Sequence, residues 1–156
     1  LVDRLVVVDI APTPSPGHAE GFVHALAGVD LLRCQSRRDV DGQLAEQVPD
    51  PGIRAFLLQN LDTSAARLAW KPNLAAITSH LDGIVDFPDG RHGRAYAGAT
   101  LFVAGANSDY LEPRHHAAAR TLFPAADFDI VAGAGHWVHA EQPAVFLDTV
   151  RPFLES

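Results

Sequence analysis

Clustered basic residues, paired cysteines and long apolar runs are all missing from this sequence, and each absence removes a class of function. Twelve Lys and Arg stand against 19 Asp and Glu, for a net charge of −7. That balance argues against a phosphate-backbone partner, whose affinity comes mostly from clustered positive charge, so we expect no nucleic-acid binding. The single cysteine, Cys34, cannot close an internal disulfide. No Cys and His group has zinc-ligand spacing, so neither a metal nor any other cofactor is expected, and a reducing, cytoplasmic setting is. The longest apolar stretches, such as the one beginning at Leu5, fall far short of the roughly 20 residues that cross a bilayer. No membrane span is expected. The first residues also lack an initiator Met and the cationic start and cleavage site of a secretory signal.

What is present is apolar enough for one core. Forty-seven per cent of the 156 residues are hydrophobic, which suits one domain or a large piece of one. Leu5-Val6-Val7-Val8-Asp9-Ile10 reads as a strand covered on both faces, the kind found in parallel α/β sheets. Such a strand needs neighbours on both sides, so the chain is expected to begin in the middle of a fold. Ala11 to Gly17 carries three prolines and must leave regular structure. Apolar residues then recur at three- and four-residue spacing over His18–Gly28, Val40–Val48, Pro51–Leu61 and Ser64–Trp70, with helical character continuing over Asn73–Leu81. Asp50 before Pro51 supplies a helix cap and a first-turn proline. An all-helical insert between two strands follows. A second strand over Ala99–Ala104, a helix from Pro113 to Leu122, a third strand over Phe128–Val131 and a last helix over Ala144–Leu154 complete the order. This alternation predicts a parallel sheet with right-handed crossovers.

Four stretches carry a resemblance to a known family. They are Leu5-Val6-Val7-Val8-Asp9-Ile10-Ala11-Pro12; Phe56-Leu57-Leu58-Gln59-Asn60-Leu61 with Trp70-Lys71-Pro72-Asn73-Leu74-Ala75-Ala76-Ile77; Leu101-Phe102-Val103-Ala104-Gly105-Ala106-Asn107-Ser108-Asp109-Tyr110; and Ala132-Gly133-Ala134-Gly135-His136-Trp137-Val138-His139-Ala140-Glu141-Gln142-Pro143. In this order they resemble the α/β-hydrolase superfamily, and within it the small esterases of the YbfF and ABHD11 type. The resemblance implies an α/β fold, the C-terminal half of an α/β-hydrolase, with three parallel strands, flanking helices and a helical cap insert. Residues 1–11 would be the sixth strand of the sheet, 12–97 the cap, and 98–156 the rest of the core with the acid and histidine loops. Fold analogy alone does not establish chemistry, so the residues must be weighed one by one.

His136 is the first candidate. It follows a strand and two glycines, so its ring would project from a tight loop at the carboxyl edge of the sheet, where ligand sites of open α/β sheets lie. An imidazole, which ordinarily titrates near 6.5, can take a proton from a hydroxyl and return it to a leaving group. A loop histidine bonded only for structure is the plainer alternative. His139 is expected to pack near a helix start. The base needs a carboxylate to orient it, and two compete. Asp109 lies in the loop after the seventh strand, where most of the family keep the acid, but the usual place, three residues after Gly105, is taken by Ser108. Asp9 ends the sixth strand and matches the acid position of the YbfF-like esterases; we prefer Asp9 and keep Asp109 open. Otherwise Asp9 would cap the proline-rich turn, and Asp109 would be a solvated loop residue.

The nucleophile is not found. None of the six serines, nor Cys34, has the flanking glycines of a G-x-S-x-G elbow. By family order that elbow and the oxyanion loop would lie upstream of Leu1, leaving these residues inert as a triad hydrolase on their own. The expected function is therefore part of a serine hydrolase that acts on small carboxylic esters or thioesters. The alternatives are an inert or associating half-chain, or dehalogenase or epoxide hydrolase chemistry on the same fold. A half-fold would expose a strand edge and an apolar face, and so pair with its missing N-terminal half or self-associate. In the insert, Phe22, Val23, Leu26, Ile53, Phe56, Leu57 and Leu61 form either a plain helical core or the lining of an acyl pocket. His115-His116 is expected to be a solvated helix face, because adjacent helical residues point apart.

Overall fold

In a computed structural model the described residues are 2–14, 18–64, 67–87 and 95–156. In chain order they form β1 (Arg4–Val8), α1 (His18–Ala27), α2 (Arg37–Leu44), α3 (Pro51–Leu57), β2 (Leu61–Asp62), β3 (Ala69–Trp70), α4 (Leu74–Ser79) and α5 (Leu81–Val85). There follow β4 (Ala99–Gly105), α6 (His116–Leu122), β5 (Ala126–Val131), α7 (Val138–Glu141) and α8 (Pro143–Glu155). The chain divides into two compact units, Leu1–Pro16 with Asp86–Ser156, and Gly17–Val85.

The first unit is built on a parallel sheet in the order β1-β4-β5. Strand β4 is central, and all but its first residue is buried. Side chains alternate across a strand, so Phe102 and Ala104 meet Ala119 of α6 and Leu111 on one face, while Leu101 and Val103 meet Val138 of α7 and Val150 of α8 on the other. Phe102 is the largest side chain in this core; its ring stacks on Phe128 at 5.2 Å and meets Phe123 edge-on at 5.5 Å. Strand β1 pairs with β4 from Arg4↔Ala99 to Val8↔Val103, and the Asp9 amide carries the ladder one step further to the Val103 carbonyl at 2.8 Å. All five β1 residues are half-buried, less than an apolar strand of a covered sheet would be.

The second unit has its own core of Ala25, Leu26, Val40, Leu44, Val48, Leu57, Leu58 and Leu61. Its helices begin where short polar side chains can satisfy first-turn amides. Ser36 forms a capping box with Asp39, Asp50 accepts from the Ile53 amide at 2.8 Å ahead of Pro51, and Asn73 accepts from Ala76 at 3.0 Å. Of the seven apolar insert residues, Leu26, Leu57 and Leu61 are core, Phe22 and Ile53 pack against it, Val23 is half-buried, and Phe56 stays 51% exposed.

The insert departs from the expectation. It is not all helical: at the end of the stretch expected as a helix, Ala69–Trp70 pairs antiparallel with Leu61–Asp62. Asp62 accepts from the Ser64 amide and hydroxyl at 2.8 and 2.7 Å, a local turn that competes with helix formation. The Lys71 amide then bonds the Asn60 carbonyl at 2.9 Å, and Trp70 packs on the core. Other bounds shift less. The helix expected over Pro51–Leu61 ends at Leu57 and passes through a single 3-10 turn, and Asn73–Leu81 divides at His80 into α4 and α5. Leu1, Ser15 to Gly17 of the proline-rich turn, and Ala65 and Ala66 of the supposed helix lie outside the described residues.

Candidate active site

The site is made where β1 and β4 end and the loop after β5 begins. Asp9 follows the last residue of β1 and turns sharply there. Its φ is +47°, and among the described residues it is the one non-glycine in the left-handed region. Aspartate tolerates that conformation better than most residues, and such outliers gather at functional sites. The turn buries the carboxylate completely.

Three donors converge on it. The Gly105 amide reaches Oδ1 at 3.0 Å, while the Ser108 hydroxyl and the His136 ring reach Oδ2 at 2.5 and 2.8 Å. A buried carboxylate so surrounded has its acceptor capacity met by protein alone. The His136 contact is through Nδ1. A carboxylate can only accept, so Nδ1 carries the ring proton and Nε2 is left as the basic nitrogen. The His136 side chain is 44% exposed.

The histidine loop is held from several directions. Gly133 adopts φ +72°, which glycine takes at little cost. A Cβ on Gly105 would sit 2.1 Å from the Gly135 carbonyl oxygen, so only glycine lets the end of β4 approach this closely. The Asn107 amide bonds the Ala134 carbonyl at 2.9 Å. From the far side, the Glu141 carboxylate accepts from Gly135 at 2.9 Å and from Trp137 at 3.2 Å, gripping the backbone on both sides of His136.

Asp109 sits elsewhere. It is exposed and lines a cleft of about 130 Å³ with Ile10, Tyr110 and Arg114. The His136 ring bonds Asp9, and the position the family commonly gives to the acid holds Ser108, whose hydroxyl turns toward that same Asp9. The sequence placed Ser108 at the acid position without assigning it work; the signal available was a hydroxyl three residues after Gly105. The Tyr110 ring lies against the His136 ring, with centroids 4.0 Å apart and 24° between planes. Burial, with the Asp109 and Asp9 carboxylates nearby, pushes the Tyr110 phenol above its ordinary range. Neither this contact nor the Glu141 grip was visible in the sequence.

The other histidines do different things. His139 meets Phe146 edge-on at 6.3 Å, and His115 Nδ1 accepts from the Glu112 amide at 3.1 Å. His116 is not a solvated surface residue as expected: it stacks on Phe128 at 3.7 Å and is half-buried. Burial and the neighbouring Arg120 and His115 push its imidazole below the usual histidine range. Among the described residues, no group of three His, Cys, Asp or Glu could hold a metal, and no helix is long and apolar enough to cross a membrane.

No family model matches the chain. Searches of known proteins and solved structures do find relatives. The chain is 44% identical over 160 residues to the mouse (Mus musculus) protein named sn-1-specific diacylglycerol lipase ABHD11, covering 99% of this chain and 52% of that one. It is 30% identical over 160 residues to Esterase YbfF of Escherichia coli, covering 99% and 59%. Among solved structures, one titled as a marine microorganism esterase superposes with a TM-score of 0.88 at 28% identity, covering 97% of this chain and 60% of that one. The chain belongs to the α/β-hydrolase superfamily. Its three-stranded parallel sheet with flanking helices is part of that fold. The chain spans about half the length of the curated relatives it matches.

Proposed function

We propose that the full-length protein is a serine hydrolase of carboxylic esters or thioesters, to which these residues contribute the acid and the base of a Ser-His-Asp triad. The observation that carries this reading is the 2.8 Å bond between His136 Nδ1 and the fully buried Asp9 carboxylate. With its Nδ1 proton committed to Asp9, His136 takes the proton of a serine hydroxyl on Nε2 as that oxygen attacks the ester carbonyl. It then delivers the proton to the leaving alcohol or thiol. Asp9 fixes the tautomer and stabilises the imidazolium. The serine belongs to a strand-to-helix elbow that these residues do not contain.

The names of the relatives, a diacylglycerol lipase and an esterase, support an ester substrate. We assign residues 12–97 as the cap of the enzyme, residues 1–11 as its sixth strand and 98–156 as the end of its core. The remainder of the hydrolase sheet would pair with the outer edge of β1, whose residues are half-buried. The buried, unpaired Cys34 is consistent with a reducing, cytoplasmic setting.

The test is turnover of short p-nitrophenyl esters by the full-length protein. His136→Ala should lower kcat by several orders of magnitude with little change in stability. Retention of more than about a tenth of the activity would reject His136 as the base, because general-base assistance is worth roughly a hundredfold or more.

A further inference from the structure

The loop after β4 carries something in place of the acid its position usually supplies. Ser108 Oγ donates to Asp9 Oδ2 and accepts from the Tyr110 amide at 3.2 Å, so one short stretch sets both the hydroxyl and the residue two places on. That residue lays its ring on the imidazole at 4.0 Å, nearly parallel. We propose that Tyr110 is a positioning residue for His136, holding the imidazole in the orientation that Asp9 dictates and favouring its protonated form during turnover.

The physical case has three parts. A single bond from Nδ1 to Asp9 anchors one edge of the imidazole but leaves the ring free to tilt about it, and a stacked face removes that freedom. His136 is 44% exposed, so an aromatic face also shields the His136–Asp9 contact from competing water on that side. Finally, the electron-rich face of an aromatic ring attracts a cation lying over it. The imidazole becomes a cation when it accepts the nucleophile's proton, so the attraction is greater in the charged intermediate than in the resting enzyme. That is the condition under which a contact raises kcat rather than merely tightening binding. Burial and the Asp109 and Asp9 carboxylates push the phenol above its ordinary range. The ring, not the hydroxyl, carries the role.

This inference rests on the hydrolase reading, and the test separates the two. Wild type, Tyr110→Phe and Tyr110→Leu are compared in the full-length protein for kcat and KM on short p-nitrophenyl esters, and for the His136 ring-proton resonances in NMR spectra. Tyr110→Leu should lower kcat about tenfold, the scale of one stacked aromatic pair, and leave KM within about twofold. Tyr110→Phe should keep kcat within about twofold of wild type. The His136 ring protons should lie upfield in wild type and in the Phe variant, under the neighbouring ring current, and return downfield in the Leu variant. An unchanged kcat in Tyr110→Leu overturns the proposal, as does an equal loss in Phe and Leu, or a His136 signal that the Leu substitution does not move. A wild type without turnover defeats the hydrolase reading instead, while the resonances still report on the stack.

Discussion

The two units of this chain hold their key residues together over very different distances along the sequence. In the helical unit the side-chain hydrogen bonds are local. Arg54 bonds Asp41 thirteen residues away at 2.8 Å, and Arg37 reaches the Ala55 and Leu58 carbonyls across separations of 18 and 21. In the sheet unit, Asp9 gathers Gly105, Ser108 and His136 from separations of 96, 99 and 127 residues. Contacts of the first kind form while little chain entropy is lost; those of the second exist only once β1 and β4 are paired and the loop after β5 is in place. The site is therefore a product of the whole sheet, whereas the helical unit adds short-range side-chain ties and capped helix starts to a core of its own.

The contrast can be broken most directly at the outer edge of β1. If that edge belongs to the rest of a hydrolase sheet, residues 1–156 expressed alone should self-associate or aggregate, since unpaired strand edges and half-covered apolar faces seek partners. Light scattering on the purified polypeptide measures this. A dilute, stable monomer with cooperative unfolding would show that the sheet closes its own core. Within the full-length protein the contrast sharpens on substitution. Phe102→Ala removes a ring that is 1% exposed and in contact with Phe123 and Phe128, and should cost about 3–5 kcal/mol in urea unfolding. Ser36→Ala removes one capping box at the start of α2 and should cost about 1 kcal/mol, with faster hydrogen exchange confined to the first turn of that helix. Equal costs would erase the distinction between a sheet-wide core and a local tie.

The same difference explains what could be read from the sequence. Asp50 with Pro51 is local chemistry, and the cap it announces is there. The apolar runs of β1 and β4 and the alternation of strands with helices declare a parallel sheet. Ser64–Trp70 misled because its apolar spacing fits a helix, while the pairing that won joins it to Leu61 and Asp62, outside the run. Its neighbour Asp62 offered the competing turn in plain sight. His136 was legible from its glycines and flanking residues. The choice between Asp9 and Asp109 was not, because each follows a strand and each could reach a histidine. The adjacency of β1 and β4, the left-handed turn at Asp9 and the burial of its carboxylate place Asp9, and not Asp109, against the His136 ring, and none of these is written in local sequence. Tyr110 and Glu141 act on His136 through ring stacking and backbone contacts, for which no residue pattern stands as a marker.

The central claim is that the acid comes from the end of β1 and not from the loop after β4. The deciding measurement compares kcat for Asp9→Asn and Asp109→Asn in the full-length protein, each substitution keeping side-chain volume while removing the charge that stabilises imidazolium. Our account gives a fall of about a hundredfold or more for Asp9→Asn and a change of no more than a few-fold for Asp109→Asn. Near-normal turnover in Asp9→Asn with collapse in Asp109→Asn would contradict it.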